Sequence, residues 1–116
     1  IKESVLDTLW AKVVKKNASN QCEYCHKTSY LNAHHVFSRS KHCVRWEPSN
    51  GVCLCVAHHV FSSEFSAHKA PAEFIEWIKL YRGEDWYMKL RLQAHGEYKP
   101  DNEKVKERLT SLLETL

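Results

Sequence analysis

The 116-residue sequence has no long hydrophobic run, no internal repeat and no low-complexity segment. No apolar stretch approaches the roughly 18 residues that a membrane-spanning helix needs, and no signal peptide is visible, so we expect no membrane partner. The five cysteines are an odd number, which argues against a closed disulfide framework. These absences predict a protein of the reducing cytoplasm.

A strong charge of either sign is also missing. The formal net charge is +3, from 17 Lys and Arg against 14 Asp and Glu. This mild excess permits a nucleic-acid partner without requiring one. With 43% hydrophobic and 27% charged residues, the composition is that of an ordinary globular protein. The length predicts a single domain over residues 1–116, whose hydrophobic core alone would give only modest stability.

Amphipathic patterns at both ends of the chain predict helices that support its centre. Residues 4–16 place apolar side chains at helical spacing, and the pair Ser4 and Asp7 suggests a capping box at the start of this helix. Three more helical patterns follow, with turn or cap residues at Pro71, Gly83, Gly96 and Asp101. We therefore expect helical support over residues 1–18 and 71–116.

The stretch from Cys22 to His59 holds all five cysteines and six of the eight histidines. Strand-like segments at residues 30–37 and 51–54 flank a polar, basic loop, and residues 56–65 are compatible with a helix. Too few apolar side chains remain in this part of the chain to hold it together without a metal ion. The core of the domain is therefore expected at residues 22–65.

Two short ligand pairs in this stretch match the requirements of a zinc ion. One pair is Cys22 and Cys25, and the other is Cys55 and His58, each separated by two residues. Zinc prefers four sulfur or nitrogen ligands in a tetrahedron, and each short pair supplies one edge of it. We therefore predict a structural Zn²⁺ bound by these four residues, with the other two cysteines outside the site.

The residues between the zinc pairs resemble the HNH endonuclease family, whose motif is a ββα-metal fold. The matching segments are Leu31-Asn32-Ala33-His34-His35-Val36, Asn50-Gly51-Val52-Cys53-Leu54-Cys55 and Val56-Ala57-His58-His59. The H, N and H of the family name fall on His35, Asn50 and His59. The resemblance covers about residues 22–60 and includes the zinc pairs. The segments Arg45-Trp46 and Pro71 to Trp77 look like those of small phage and prophage HNH proteins.

This resemblance implies a fold class and a set of roles. The fold would be α+β, with a small zinc-stabilised ββα-metal core flanked by N- and C-terminal helices. His35 would be the general base that activates water, and Asn50 would hold the loop and orient His35. His34 and His59 would bind a catalytic divalent metal. The reaction would hydrolyse phosphodiester bonds of DNA and leave 3′-hydroxyl and 5′-phosphate ends.

His34 departs from the family pattern, since many members have Asp at this position. Imidazole favours Mn²⁺, Co²⁺, Ni²⁺ or Zn²⁺, whereas Mg²⁺ prefers oxygen ligands, so we expect these metals to be favoured over Mg²⁺. Family sites often use a third ligand further along the chain, and His68 is a candidate for it. His34 and His35 could also exchange roles, because adjacent strand residues point to opposite sides and only the resemblance favours His35 as the base.

DNA is the expected partner, and Arg39, Lys41 and Arg45 in the loop between the strands are candidates to contact its phosphates. The alternative is a non-catalytic zinc-binding module that binds DNA or protein, for example as an accessory in phage packaging. That alternative does not explain why histidines and Asn50 occur at nuclease spacing. The apolar faces of the terminal helices leave a homodimer or phage packaging proteins open as partners. A phage-encoded protein would act in the cytosol of its bacterial host.

Overall fold

The computed structural model describes residues 1–116, and it is an α+β fold of four helices and one two-stranded antiparallel sheet. The elements are α1 (Glu3–Asn17), β1 (Leu31–His35), β2 (Gly51–Cys55), α2 (Pro71–Arg82), α3 (Glu84–Ala94) and α4 (Asn102–Thr115). Helices thus lie at both ends of the chain, as expected. None of them combines the length and the apolar character that crossing a membrane requires.

Strand β2 is the buried middle of the molecule. It pairs with β1 so that Leu31 lies opposite Cys55 and His35 lies opposite Gly51. Successive side chains of a strand point to opposite faces, and both faces of β2 are covered. On one face Cys53 packs in a cluster with residues of α1 and α4, namely Leu6, Trp10, Val13, Val14 and Leu109. On the other face Val52 and Leu54 pack against the α2 residues Phe74 and Ile78.

The first strand is shorter than the expected segment 30–37, and it ends at both sides for local reasons. Tyr30 has a φ of +53°, a left-handed conformation that cannot continue a strand. After the strand, the backbone of Phe37 hydrogen-bonds to the side chain of Asn50 instead of to a neighbouring strand. Its Oδ1 accepts from Phe37 N at 2.7 Å, and its Nδ2 donates to Phe37 O at 2.9 Å. The Asn50 side chain therefore satisfies the backbone groups that the next pair of the sheet would have bonded.

The helix expected at residues 56–65 forms only over its first part. Only the single turn Ala57–Phe61 forms, and it closes when Ser62 N donates to Ala57 O at 2.8 Å. The hydroxyl of Ser62 then accepts from the backbone N–H groups of the second and third residues after it. Such local side-chain bonds compete with helix propagation. The chain leaves the turn and folds back over it instead of extending away.

The predicted caps had different outcomes. Asp101 is the N-cap of α4, and its carboxylate accepts from the backbone N–H groups of Glu103 and Lys104 at 2.9 and 3.3 Å, which confirms that prediction. The capping box at Ser4 and Asp7 is not formed, because α1 already begins at Glu3. Asp7 is used for tertiary contacts with the loop between the strands, which are described below.

Candidate metal centres

The four residues of the predicted zinc site come together. Cys25 Sγ lies 3.7 Å from Cys55 Sγ, and His58 Nδ1 lies 3.2 Å from Cys55 Sγ and 4.0 Å from Cys22 Sγ. A tetrahedral ion with zinc-like bond lengths of about 2.3 Å to sulfur and 2.0 Å to nitrogen would separate its ligands by similar distances. No disulfide joins these cysteines. The cluster, hereafter the thiolate cluster, could therefore hold a metal ion such as zinc.

The turn between Cys22 and Cys25 is shaped by its own backbone. Cys22 N donates to Lys27 O, and His26 N donates to Cys22 O, both at 2.8 Å. The backbone of His26 has a φ of +66°, which reverses the chain direction. Burial raises the pKa of the Cys22 thiol, but backbone N–H groups directed at its sulfur outweigh this, and its pKa is lower than usual. The turn thus favours the thiolate at Cys22, whereas burial and the sulfurs of Cys22 and Cys55 raise the pKa of Cys25 to about 11.

Aromatic rings cover one side of the thiolate cluster. The ring of Tyr24 stacks on Phe65 with centroids 3.7 Å apart and meets the edge of His58 at 4.8 Å. Trp77 of α2 packs edge-on against Phe65 at 5.7 Å. These contacts hold the His58 ring against the sulfur atoms, while Cys25 on the other side is exposed. The four protein donors are enough to complete a tetrahedron, as in structural zinc sites.

A second cluster consists of His34, His59 and His68, hereafter the histidine cluster. One ring nitrogen of each lies within 4.8 Å of those of the other two, and His59 Nε2 and His68 Nε2 are 3.1 Å apart. The returning segment brings His68 there, because His68 N donates to His59 O at 3.0 Å and Ala67 N donates to His58 O at 2.9 Å. The candidate third residue is thus brought to the other two, and these three rings could hold a second ion.

The electrostatics of the histidine cluster favour neutral imidazoles. Burial, followed by the neighbouring His59 and His68, lowers the pKa of His34 to about 3. Burial and His68 also lower the pKa of His59. Neutral rings have the free lone pairs that a metal ion requires. No carboxylate belongs to this cluster, so a bound divalent ion would keep its full charge.

His35 does not join the histidine cluster. Its Nε2–H donates to the carbonyl of Arg45 at 2.9 Å, and its ring stacks on Trp10 with centroids 3.8 Å apart and planes at 10°. A carbonyl only accepts, so the proton of the neutral ring lies on Nε2 and the lone pair on Nδ1. Burial lowers the pKa of His35, although the bond to Arg45 partly opposes this. His34 and His35 therefore differ in surroundings, as the alternation along a strand predicts.

Asn50 is fully buried and binds only backbone groups. Besides its two bonds to Phe37, its Nδ2 donates to Val44 O at 3.1 Å. Val44 directly precedes Arg45, whose carbonyl accepts from His35. Asn50 thus holds the loop that carries this carbonyl, and it is a positioning residue that no substrate could touch directly.

The histidine cluster opens into a cleft of about 540 Å³, whose lining includes His34, His35, Arg39, His59, His68 and Phe74. Among the three cationic residues predicted to contact phosphates, Arg39 is exposed and lines this cleft, and Lys41 is exposed outside it. Arg45 does not fit that prediction. Its side chain is 12% exposed and pairs with Asp7 at 2.8 Å and Glu3 at 3.2 Å. Its charge is therefore already used inside the protein.

Two residues of α1 belong to the site although the sequence suggested only packing and capping for them. Trp10 stacks on His35, and Asp7 accepts from the side chains of Arg45 and Trp46. Trp10 falls on the apolar face of an amphipathic helix, which identifies it as a core residue and not as a neighbour of a particular ring. No local pattern pairs Asp7 with a loop almost forty residues away.

Comparisons with known proteins give this chain no relative. It matches no protein-family model, no curated protein and no solved structure. Function must therefore be inferred from the two donor clusters, the cleft and the contacts of His35.

Proposed function

We propose that this protein is a metal-dependent DNA endonuclease of the HNH type, with a zinc-stabilised ββα-metal core at residues 22–65. The observation that carries the proposal is the grouping of His34, His59 and His68 at a cleft that His35 also lines. Three nitrogen donors would hold one divalent ion and leave coordination positions for a phosphate oxygen and water. When bound, such an ion relieves the charge of the phosphate and assists the leaving oxygen.

The contacts of His35 suit a general base. With its Nε2–H bound to the Arg45 carbonyl, Nδ1 is the one ring atom free to take a proton from water. Burial lowers its pKa, so the ring is neutral and able to accept a proton near pH 7. The Nε2–H bond to the carbonyl can persist after Nδ1 has been protonated, and it then stabilises the imidazolium. The scissile bond would break to a 3′-hydroxyl and a 5′-phosphate.

The remaining residues would support this reaction in separate ways. Arg39 at the edge of the cleft would bind a neighbouring phosphate, with Lys41 as a second, more distant contact. Asn50 would keep the loop that carries the Arg45 carbonyl in place. A zinc ion in the thiolate cluster would fix the turn Ala57–Phe61, from which His59 extends into the histidine cluster. The four donors of that ion leave no position for a substrate.

The test is plasmid cleavage across metals with the wild type and His35→Ala. We expect nicking with Mn²⁺, Co²⁺ or Ni²⁺ to exceed that with Mg²⁺, because the histidine cluster offers only nitrogen donors. A chelator should abolish it. His35→Ala should lower the rate by about 10²- to 10⁴-fold while leaving metal content unchanged. His95→Ala is the matched control, since His95 is exposed and lies in neither cluster, and it should cleave like the wild type.

Two results would contradict the proposal. Full activity of His35→Ala would rule out His35 as the general base. No cleavage with any of these metals, at full metal content, would favour the alternative of a zinc-binding module for DNA or protein, such as a packaging accessory.

A further inference from the structure

We propose that helix α1, which lies outside the ββα-metal core, positions the general base: Trp10 and the pair Asp7–Arg45 fix the ring orientation and the tautomer of His35. The kinetic consequence of this inference rests on the proposed nuclease function. The ring geometry itself can be measured in a protein without any activity, so the two claims can fail separately.

Trp10 holds the plane of the His35 ring. The two rings are nearly parallel, at 10°, with centroids 3.8 Å apart, and Trp10 is only 2% exposed. A hydrogen bond fixes the indole itself, because its Nε1–H donates to Glu47 O at 2.7 Å. Gly51, the residue opposite His35, provides the space, since a Cβ there would lie 2.9 Å from Trp10 Cζ2 and would collide with Val14. The stack therefore depends on a position without a side chain.

The pair Asp7–Arg45 holds the carbonyl to which His35 donates. Arg45 binds Asp7 through two parallel bonds, Nε to Oδ1 at 3.0 Å and Nη2 to Oδ2 at 2.8 Å. Trp46 Nε1 adds a third bond to the same carboxylate at 2.8 Å. Bidentate pairs of this kind fix orientation as well as distance. Asp7 and Trp10 are three residues apart on α1, so one turn of helix carries both restraints.

These contacts define one ring state. Turning the His35 ring over would replace the Nε2–H donor by the Cε1–H group, and the other tautomer would place a lone pair against the Arg45 carbonyl. The stack on Trp10 restricts intermediate orientations. The lone pair of Nδ1 is thereby kept in one direction, although no residue of α1 lines the cleft. Partners that orient metal-binding imidazoles typically change activity by about 10- to 100-fold when they are removed, and we expect an effect of similar size for His35. Trp10 and Asp7 are therefore positioning residues.

The kinetic test compares Trp10→Leu, which keeps an apolar side chain but loses the stack, with Trp10→Phe, which keeps an aromatic ring. We expect Trp10→Leu to lower kcat by about 10- to 100-fold with little change in KM, and Trp10→Phe to recover most of this loss. In a His35→Ala background, Trp10→Leu should cause no further loss. Leu109→Ala is the control, because Leu109 is fully buried in the same core cluster but lies on α4. It should lower Tm and leave kcat unchanged.

The test without activity measures the ring nitrogens of His35 by ¹⁵N NMR in the metal-loaded protein. Wild type and Trp10→Phe should show only the Nε2–H tautomer, Trp10→Leu both tautomers, and Asp7→Asn a smaller shift in the same direction. A single tautomer in Trp10→Leu, or an equal loss of kcat in Leu109→Ala, would overturn the inference. If the wild type cleaves no DNA, the nuclease proposal fails, and the tautomer populations alone decide whether α1 positions His35.

Discussion

The thiolate cluster and the histidine cluster use the same turn, Ala57–Phe61, yet they are built for different tasks. The first has three sulfurs and one nitrogen, enough to complete a tetrahedron, and aromatic rings cover it. The second has three nitrogens and faces a cleft. A complete donor set suits a structural ion, whereas an incomplete one leaves room for chemistry. The number and kind of donors therefore separate the two sites better than their distance along the chain.

The adjacent residues His58 and His59 show how the division arises. His58 Nδ1 approaches Cys55 Sγ at 3.2 Å, while His59 Nε2 approaches His68 Nε2 at 3.1 Å. Successive side chains of a helical turn point in different directions, so one turn can serve two sites. An ion in the thiolate cluster would consequently hold the backbone that supports the histidine cluster. Loss of that ion should therefore disturb the histidine cluster.

The largest effect is expected from removing a ligand of the thiolate cluster. Structural zinc contributes about 10–16 kcal/mol in small zinc domains, which is comparable to the whole stability of a domain. Cys55→Ala should therefore abolish cooperative thermal unfolding and lower the metal content. Cys53→Ala is the matched control two residues away in β2, buried but outside the cluster. It should cost about 1–2 kcal/mol and keep the metal. Equal thermal unfolding and equal metal content of the two variants would contradict a structural role of this cluster.

The next largest effect is expected from substituting the two adjacent histidines of the shared turn, because each belongs to a different cluster. His59→Ala should lower DNA cleavage by roughly a thousandfold, since metal ions contribute several kcal/mol to such reactions, and should leave Tm nearly unchanged. His58→Ala should mainly lower Tm. In Co²⁺-loaded protein, the absorption from cobalt–thiolate bonds should persist in His59→Ala and change in His58→Ala. The reverse pattern would exchange the assignments of the two histidines.

Contacts between residues close in sequence could be predicted for both clusters, whereas contacts between distant segments could not. The pairs Cys22/Cys25 and Cys55/His58 are separated by two residues each, so their spacing alone predicts that each pair lies together. His68 could only be named as a candidate. Its position depends on backbone bonds between the turn and the returning segment, and the same bonds take the place of the later part of the helix expected at residues 56–65. A helical pattern does not reveal that its carbonyls will accept from elsewhere.

The contacts of α1 with His35 and Arg45 could not be predicted from the sequence for a similar reason. The apolar face of the helix predicts burial of Trp10, but burial does not specify which ring Trp10 meets. The mild net charge likewise does not separate cations by their partners. Arg39 and Arg45 are six residues apart in one basic loop, yet Arg39 lines the cleft and Arg45 is paired with carboxylates. Such distinctions follow from tertiary packing, which brings Asp7 and Glu3 to one arginine and not to the other.

The smallest effect tests which cluster faces the substrate. If DNA lies at the histidine cluster, Arg39→Ala should weaken binding a few-fold and reduce the dependence of log affinity on log salt by about one unit, because one phosphate contact is lost. Lys27→Ala is the control, since Lys27 lies beside the thiolate cluster, where Cys22 N donates to its carbonyl. Binding titrations at several salt concentrations, with a metal that does not support cleavage, would measure both slopes. A lower slope for Lys27→Ala and an unchanged one for Arg39→Ala would place the DNA at the thiolate cluster and break the division of tasks.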